Sequence, residues 1–144
     1  MSRAGAMAQI DTLLSTISSP AFVTVMRGEP LAISGTPLMA YWIEGRNSKA
    51  VTLTNAGSTT KFSIRAYFRV QTSPDVRETI EQQLWDTMYE IDKALMGDAS
   101  LSDNVDDSRL GDASAGYITM SGNTFRTLTI PYEVDIMEDV TIAP

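Results

Sequence analysis

Between Lys61 and Met96 the spacing of apolar residues switches from every second position to every third or fourth, and the switch leaves few folds open to this chain. From Lys61 to Gln71, Phe62, Ile64, Ala66, Phe68 and Val70 fall on one face of an extended strand. Lys61, Ser63, Arg65, Tyr67 and Arg69 fall on the other, so the spacing predicts a half-buried strand. Ser73 then offers an N-cap and Pro74 suits the first helical position. Asp75 and Glu78 complement the positive end of the helix dipole, and Gly97 stands where a C′ glycine belongs. Within the predicted helix 74–96, Val76, Ile80, Leu84, Met88, Ile91 and Leu95 form a stripe broad enough to lie across a sheet. Trp85 and Tyr89 flank it, and core packing is its expected use.

The flanking segments are read the same way. Met7, Ile10, Leu13, Leu14 and Ile17 share one face of a helix predicted from about Arg3 to Ser18, which Pro20 stops. A short strand is expected over Ala21–Met26 before the turn Arg27-Gly28-Glu29-Pro30. A second is expected over Leu38–Glu44 before a loop at Gly45–Ser48. Val51–Thr54 is an alternating fragment, followed by an Asn55-Ala56-Gly57-Ser58 turn. Residues 98–116 read as a long acidic loop, a candidate for partner contact. Tyr117–Met120 and Phe125–Ile136 then flank Ser121–Thr124 as a β-hairpin, with Leu128, Ile130, Tyr132, Val134 and Ile136 inward. Pro131 lacks a donor, so that strand is expected to be an edge, or bulged, over part of its length.

At 144 residues the chain has the core of a single domain, residues 1–144, which excludes a multi-domain enzyme. With 11 Lys+Arg against 18 Asp+Glu the net charge is −7, the wrong sign for sequence-blind binding to a phosphate backbone. There is no Cys, hence no disulfide, thiolate metal site or cysteine nucleophile. There is also no His, the usual general base. Any catalysis would run on carboxylates, Lys49, Lys61, Lys93, tyrosines and hydroxyls, which weighs against an enzyme. No apolar run approaches the roughly 18 residues of a membrane span, so a soluble, intracellular protein is expected.

Two groups of residues invite a functional reading. Asp98, Asp103, Asp106, Asp107 and Asp112 surround Arg109 and supply the hard oxygens that Ca²⁺ or Mg²⁺ prefers. They lack the glycine and closing glutamate of an EF-hand loop, so a solvated acidic loop is the expectation. No nucleophile elbow, P-loop or dinucleotide fingerprint is present. Lys61, Arg65 and Arg69 with Tyr67 could track a single nucleic-acid strand. Glu133 and Asp135, outward on the last strand, make cross-strand or intersubunit ion pairs the stronger expectation. Exposed sheet edges further suggest a homo-oligomer.

The strand KFSIRAYFRVQ leads into the helix SPDVRETIEQQLWDTMYEIDKALM. The loop LSDNVDDSRLGD follows, and the chain closes with YITMSGNTFRTLTIPYEVDIMED. This layout, covering nearly the whole chain, resembles the tail terminator (tail completion) proteins of long-tailed bacteriophages. The resemblance implies an α+β subunit, with an antiparallel sheet packed against one long helix, an N-terminal helix and a C-terminal β-hairpin. It also implies a non-enzymatic virion protein without cofactor or metal. Six copies would form a ring on the head-proximal end of the tail tube, ending tube polymerisation and joining the tail to the head. The implied partners are the major tail tube protein and the head–tail connector or stopper protein. Genome DNA would cross the lumen without specific binding, and no membrane is involved. The implied location is the tail or neck of a virion assembled in the host cytoplasm. Lys61, Arg65 and Arg69 are expected to meet Asp106, Asp107, Glu133 or Asp135 of an adjacent subunit. The competing expectations are another neck protein or a tube subunit, a single-strand nucleic-acid binder, and a carboxylate-metal hydrolase.

Overall fold

The first helix expected from the sequence, α1, spans Arg3–Ser15 in the computed structural model, which describes residues 3–50, 55–71 and 74–139. It buries Ala6, Ile10 and Leu14 and ends in a tightened turn, in which Thr16 N and Ile17 N donate to the carbonyls of Leu13 and Leu14. The second helix, α2, spans Pro74–Met96, the range the caps and stripe predict, and Gly97 N closes it on Lys93 O at 3.2 Å. Ser73, the expected N-cap, lies outside the described residues, as does the Val51–Thr54 fragment.

Strands β1 (Thr24–Arg27), β2 (Leu38–Ala50), β3 (Asn55–Arg69), β4 (Asp107–Leu110), β5 (Ser114–Met120) and β6 (Asn123–Asp139) make one sheet. Its order is β1-β2-β3-β6, with β4 and β5 both on the far side of β6. The fold is α+β, as expected, but the sheet is mixed. β1 runs parallel to β2 because residues 28–37 carry the chain back to its starting end instead of reversing it in a tight turn. Two other expectations are corrected. The loop at Gly45–Ser48 is strand, with a register shift between Ile43 and Gly45, and the turn at Asn55–Ser58 is the start of β3. These polar residues stay extended because β3 is hydrogen-bonded on both sides, to β2 and to β6.

Much of the expected 98–116 loop is also structured. Asp98 Oδ1 and Oδ2 accept from Ser102 N at 3.1 Å in a turn where Leu101, Ser102 and Asp103 take positive φ, and Leu101 and Val105 plug the core. β4 and β5 then pair with β6. Ser121 (φ 50) and Gly122 (φ 78) join β5 to β6 in a two-residue turn of the left-handed type that hairpins favour. The hairpin is not free-standing, however, since β6 also pairs with β3 from Phe125 to Asp139. Pro131 sits where β4 has left β6 and β5 has not yet joined. Gly111 N donates to its carbonyl at 2.7 Å, and the missing donor falls in that break.

Both helices pack on one face of the sheet. Their core includes Ile10, Leu14, Leu84 and Ile91 against Met39, Tyr41, Ile64, Leu128 and Tyr132. A polar network ties α1 to β1 and β2. The Tyr41 hydroxyl donates to the Asp11 carboxylate and accepts from Arg27 Nε at 3.0 Å, and Arg27 Nη2 reaches Asp11 at 2.6 Å. Burial, reinforced by Asp11, pushes the Tyr41 phenol well above its usual range.

Candidate functional site

Among the described residues the second face of the sheet carries no helix. At one end it has a small core of its own, where Leu38, Ala40, Tyr67 and Phe125 are buried among Met26, Ile33, Trp42, Ile118 and Met120. Burial raises the Tyr67 phenol above its ordinary value, and its oxygen has no hydrogen-bond partner among the described residues. Tyr67 is thus packed within this face, unavailable as the exposed stacking ring that a nucleic-acid reading requires. The strand expected to be half-buried is buried more deeply, since Ser63 and Tyr67 on its polar side are covered as well.

The cations of β3 lie along this face, and their surroundings differ from those of the other arginines. The Arg65 guanidinium sits 5.2 Å from the Trp42 ring centroid and 6.0 Å from that of Tyr67, while its Nε donates to Thr129 Oγ1 at 2.9 Å. Arg69 Nη2 donates to Asn123 Oδ1 at 3.1 Å. Lys61 is exposed opposite Glu133, but that carboxylate turns to Arg109. Among the described residues none of these three cations has a carboxylate partner. Arg27, Arg109 and Arg126 each hold one.

Glu133 and Asp135 lie on the same face, in register with Arg109 and Asp107 of β4. Arg109 spans both acids, Nη2 to Glu133 and Nη1 to Asp135, each at 2.7 Å, and Thr59 Oγ1 donates to Asp135 at 2.6 Å. The Arg109 guanidinium holds the Asp135 carboxyl below its ordinary value, and the two acids raise Arg109 in return. Asp106 lies at the strand edge, where its carboxylate accepts from Met137 N and its own amide donates to Asp135 O at 2.9 Å. The acids expected to reach a neighbouring subunit are therefore engaged within the chain, Asp107 excepted. Lys61, Arg65, Arg69, Asp107, Glu133 and Asp135 are brought to one face and Asp106 to the strand edge, but the cationic row and the acidic cluster remain separate systems.

The acidic segment 98–112 gathers no group of three potential metal ligands among the described residues. Asp98 serves its own turn and accepts from Gln9 Nε2 at 3.0 Å, bracing α1. No helix of the described residues is long and apolar enough to cross a membrane.

One surface escaped the sequence reading. Trp85 and Tyr89 are 73% and 65% exposed, and Met96 is 40% exposed, on the side of α2 away from the sheet. At about 100° per residue, positions 78, 82, 85, 89, 92 and 96 form a stripe opposite the buried Ile80, Leu84, Thr87 and Ile91. Angular bookkeeping on the sequence would have found it. α2 also carries Asp75, Glu78, Glu81, Asp86, Glu90 and Asp92 against Arg77 and Lys93, so its solvent side is acidic. Between the start of α2 and β5 lies a cleft of about 350 Å³. Arg126 lies there under the Tyr117 ring (4.6 Å) and is neutralised by Glu81 at 3.0 Å. Comparison with known proteins adds no name to these surfaces, because no protein-family model and no curated protein matches the chain.

Proposed function

We propose that this chain is a non-enzymatic virion structural protein that assembles as a ring, of six copies, on the head-proximal end of a phage tail tube. There it ends tube growth and joins the tail to the head connector. The layout of the sequence motivates this reading, and the observation that carries it is the sheet face that no described helix covers, with Lys61, Arg65 and Arg69 lacking a carboxylate partner among the described residues. Such a face suits a subunit made to be covered by other subunits. The major tail tube protein and the connector are the proposed neighbours, with DNA crossing the lumen unbound.

A single-strand nucleic-acid reading is less well supported. Tyr67 is buried, Arg65 occupies a face of Trp42, and the Trp42 indole donates to Glu44 at 2.7 Å.

The test is electron microscopy of lysates from a phage in which this gene alone is inactivated. The expected result is filled, tailless heads beside tails of abnormal length. Heads that lose DNA beside free tails of normal length would move the protein to the head-side neck. Absence of tubes would make it a tube subunit, and normal virions would end the structural reading.

A further inference from the structure

We infer that copies of this chain associate front to back, the outward stripe of α2 on one copy seating against the helix-free sheet face of the next. This rests on the ring reading and specifies the contact that would build it. Three observations converge on it.

The first is that the two surfaces lie on opposite sides of a two-layer subunit, since the helices cover one sheet face and the α2 stripe points away from it. Opposed, non-identical surfaces that fit each other give a head-to-tail contact, which closes into a ring or runs on as a filament. Second, their charges are complementary. Among the described residues the sheet face presents Lys61, Arg65 and Arg69 without carboxylate partners, and the α2 stripe presents Glu78 and Asp92 without an ion pair. Among the described residues this protein of net charge −7 thus keeps three cations without carboxylate partners on the sheet face, beside Glu133 and Asp135, which Arg109 holds. Third, each surface carries the apolar material of an interface core. Trp85 and Tyr89 stand out from α2, and the half-buried Trp42, Ile118 and Met120 lie on the sheet. Aromatic rings that leave water at the centre of a contact, with charges around them, are the usual energetic centre of such interfaces.

The chain has no cysteine, so introduced thiols report contacts without background. Lys61→Cys and Asp92→Cys, both at exposed positions, would be made singly and together in the full chain and treated with a short bismaleimide. The expected result is a ladder of cross-linked oligomers from the double variant, a dimer from an equimolar mixture of the two single variants, and no dimer from either alone. A dimer from Lys61→Cys alone would mean sheet against sheet, and one from Asp92→Cys alone helix against helix. Either result overturns the proposal, as does the absence of cross-linked species. Trp85→Ala with Tyr89→Ala is expected to weaken association by about tenfold or more while the circular dichroism of the folded subunit stays that of the parent, and unchanged association would overturn the proposal.

Light scattering separates this contact from the reading it rests on. A six-fold mass without cross-links keeps the ring and removes this contact. Cross-links in a chain whose inactivation leaves normal virions would keep the contact and remove the tail role.

Discussion

The two faces of the sheet are built from the same strands, yet they do different work. On β3, Phe62, Ile64, Ala66 and Phe68 are closed off by helices, while the alternate residues Lys61, Arg65 and Arg69 look out from a face that no helix covers. The contrast is more than apolar against polar, because the uncovered face buries Leu38, Ala40, Tyr67 and Phe125 at one end before giving way to charges at the other. Fold stability concentrates where the helices dock, and the opposite face can carry recognition residues at little cost to the core.

Adjacent residues put that division to its hardest test. Ile64→Ala removes a fully buried side chain beneath the helices and is expected to cost about 2–5 kcal/mol in denaturant unfolding. Arg65→Ala, one position on and facing the other way, should cost no more than about 1 kcal/mol. Equal losses would mean that the faces contribute alike. Two tyrosines sharpen the same contrast. Tyr41→Phe on the helix side breaks the contacts to Asp11 and Arg27 and should destabilise by about 1–2 kcal/mol. Tyr67→Phe on the other side deletes a buried hydroxyl without a partner, so it should be neutral or stabilising.

Titration gives a smaller effect on each side of neutrality. The phenols of Tyr41, Tyr67 and Tyr132 are all raised, so their contribution is complete below about pH 10.0 and is lost as pH climbs through the shifted values. Asp135 is lowered, so its contribution is present above its ordinary 3.8 and is lost as pH falls through the depressed value. Stability measured against pH in Arg109→Gln should lose this acid limb and keep the alkaline one. The smallest effect is expected at Trp85→Ala, within about 0.5 kcal/mol of the parent in thermal unfolding at a dilution where copies are apart, since the ring stands in solvent there. A larger loss would place that ring in the fold instead of on its surface.

What the sequence disclosed was what local signals encode. α2 was legible end to end because Pro74, Asp75, Gly97 and the apolar stripe all act within a few residues of one another. The ends of β2 and β3 were not, because Gly45–Ser48 and Asn55–Ser58 look like turns and are held extended by pairing between the two strands and, for Asn55–Ser58, by β6 far along the chain. The same holds for β4, four residues within an acidic stretch that become a strand through β6, and for the direction of β1, which alternation cannot encode. For the site, alternation placed Lys61, Arg65 and Arg69 on a common face. The capture of Glu133 and Asp135 by Arg109 depends on the β4–β6 register and was out of reach.

The long central strand has a mechanical consequence. β3 is laddered to β2 from Ala56 to Tyr67 and to β6 from Asn55 to Arg69, so the three strands act as one ribbon running from the helix-covered body to a tip where Ala50 pairs with Ala56 and Asn55 with Asp139. The ladder bonds lie across the strands, so a tug along the ribbon loads many of them together in shear instead of peeling them singly. Force applied at the tip therefore reaches the body almost undiminished, as through the shaft of a lever.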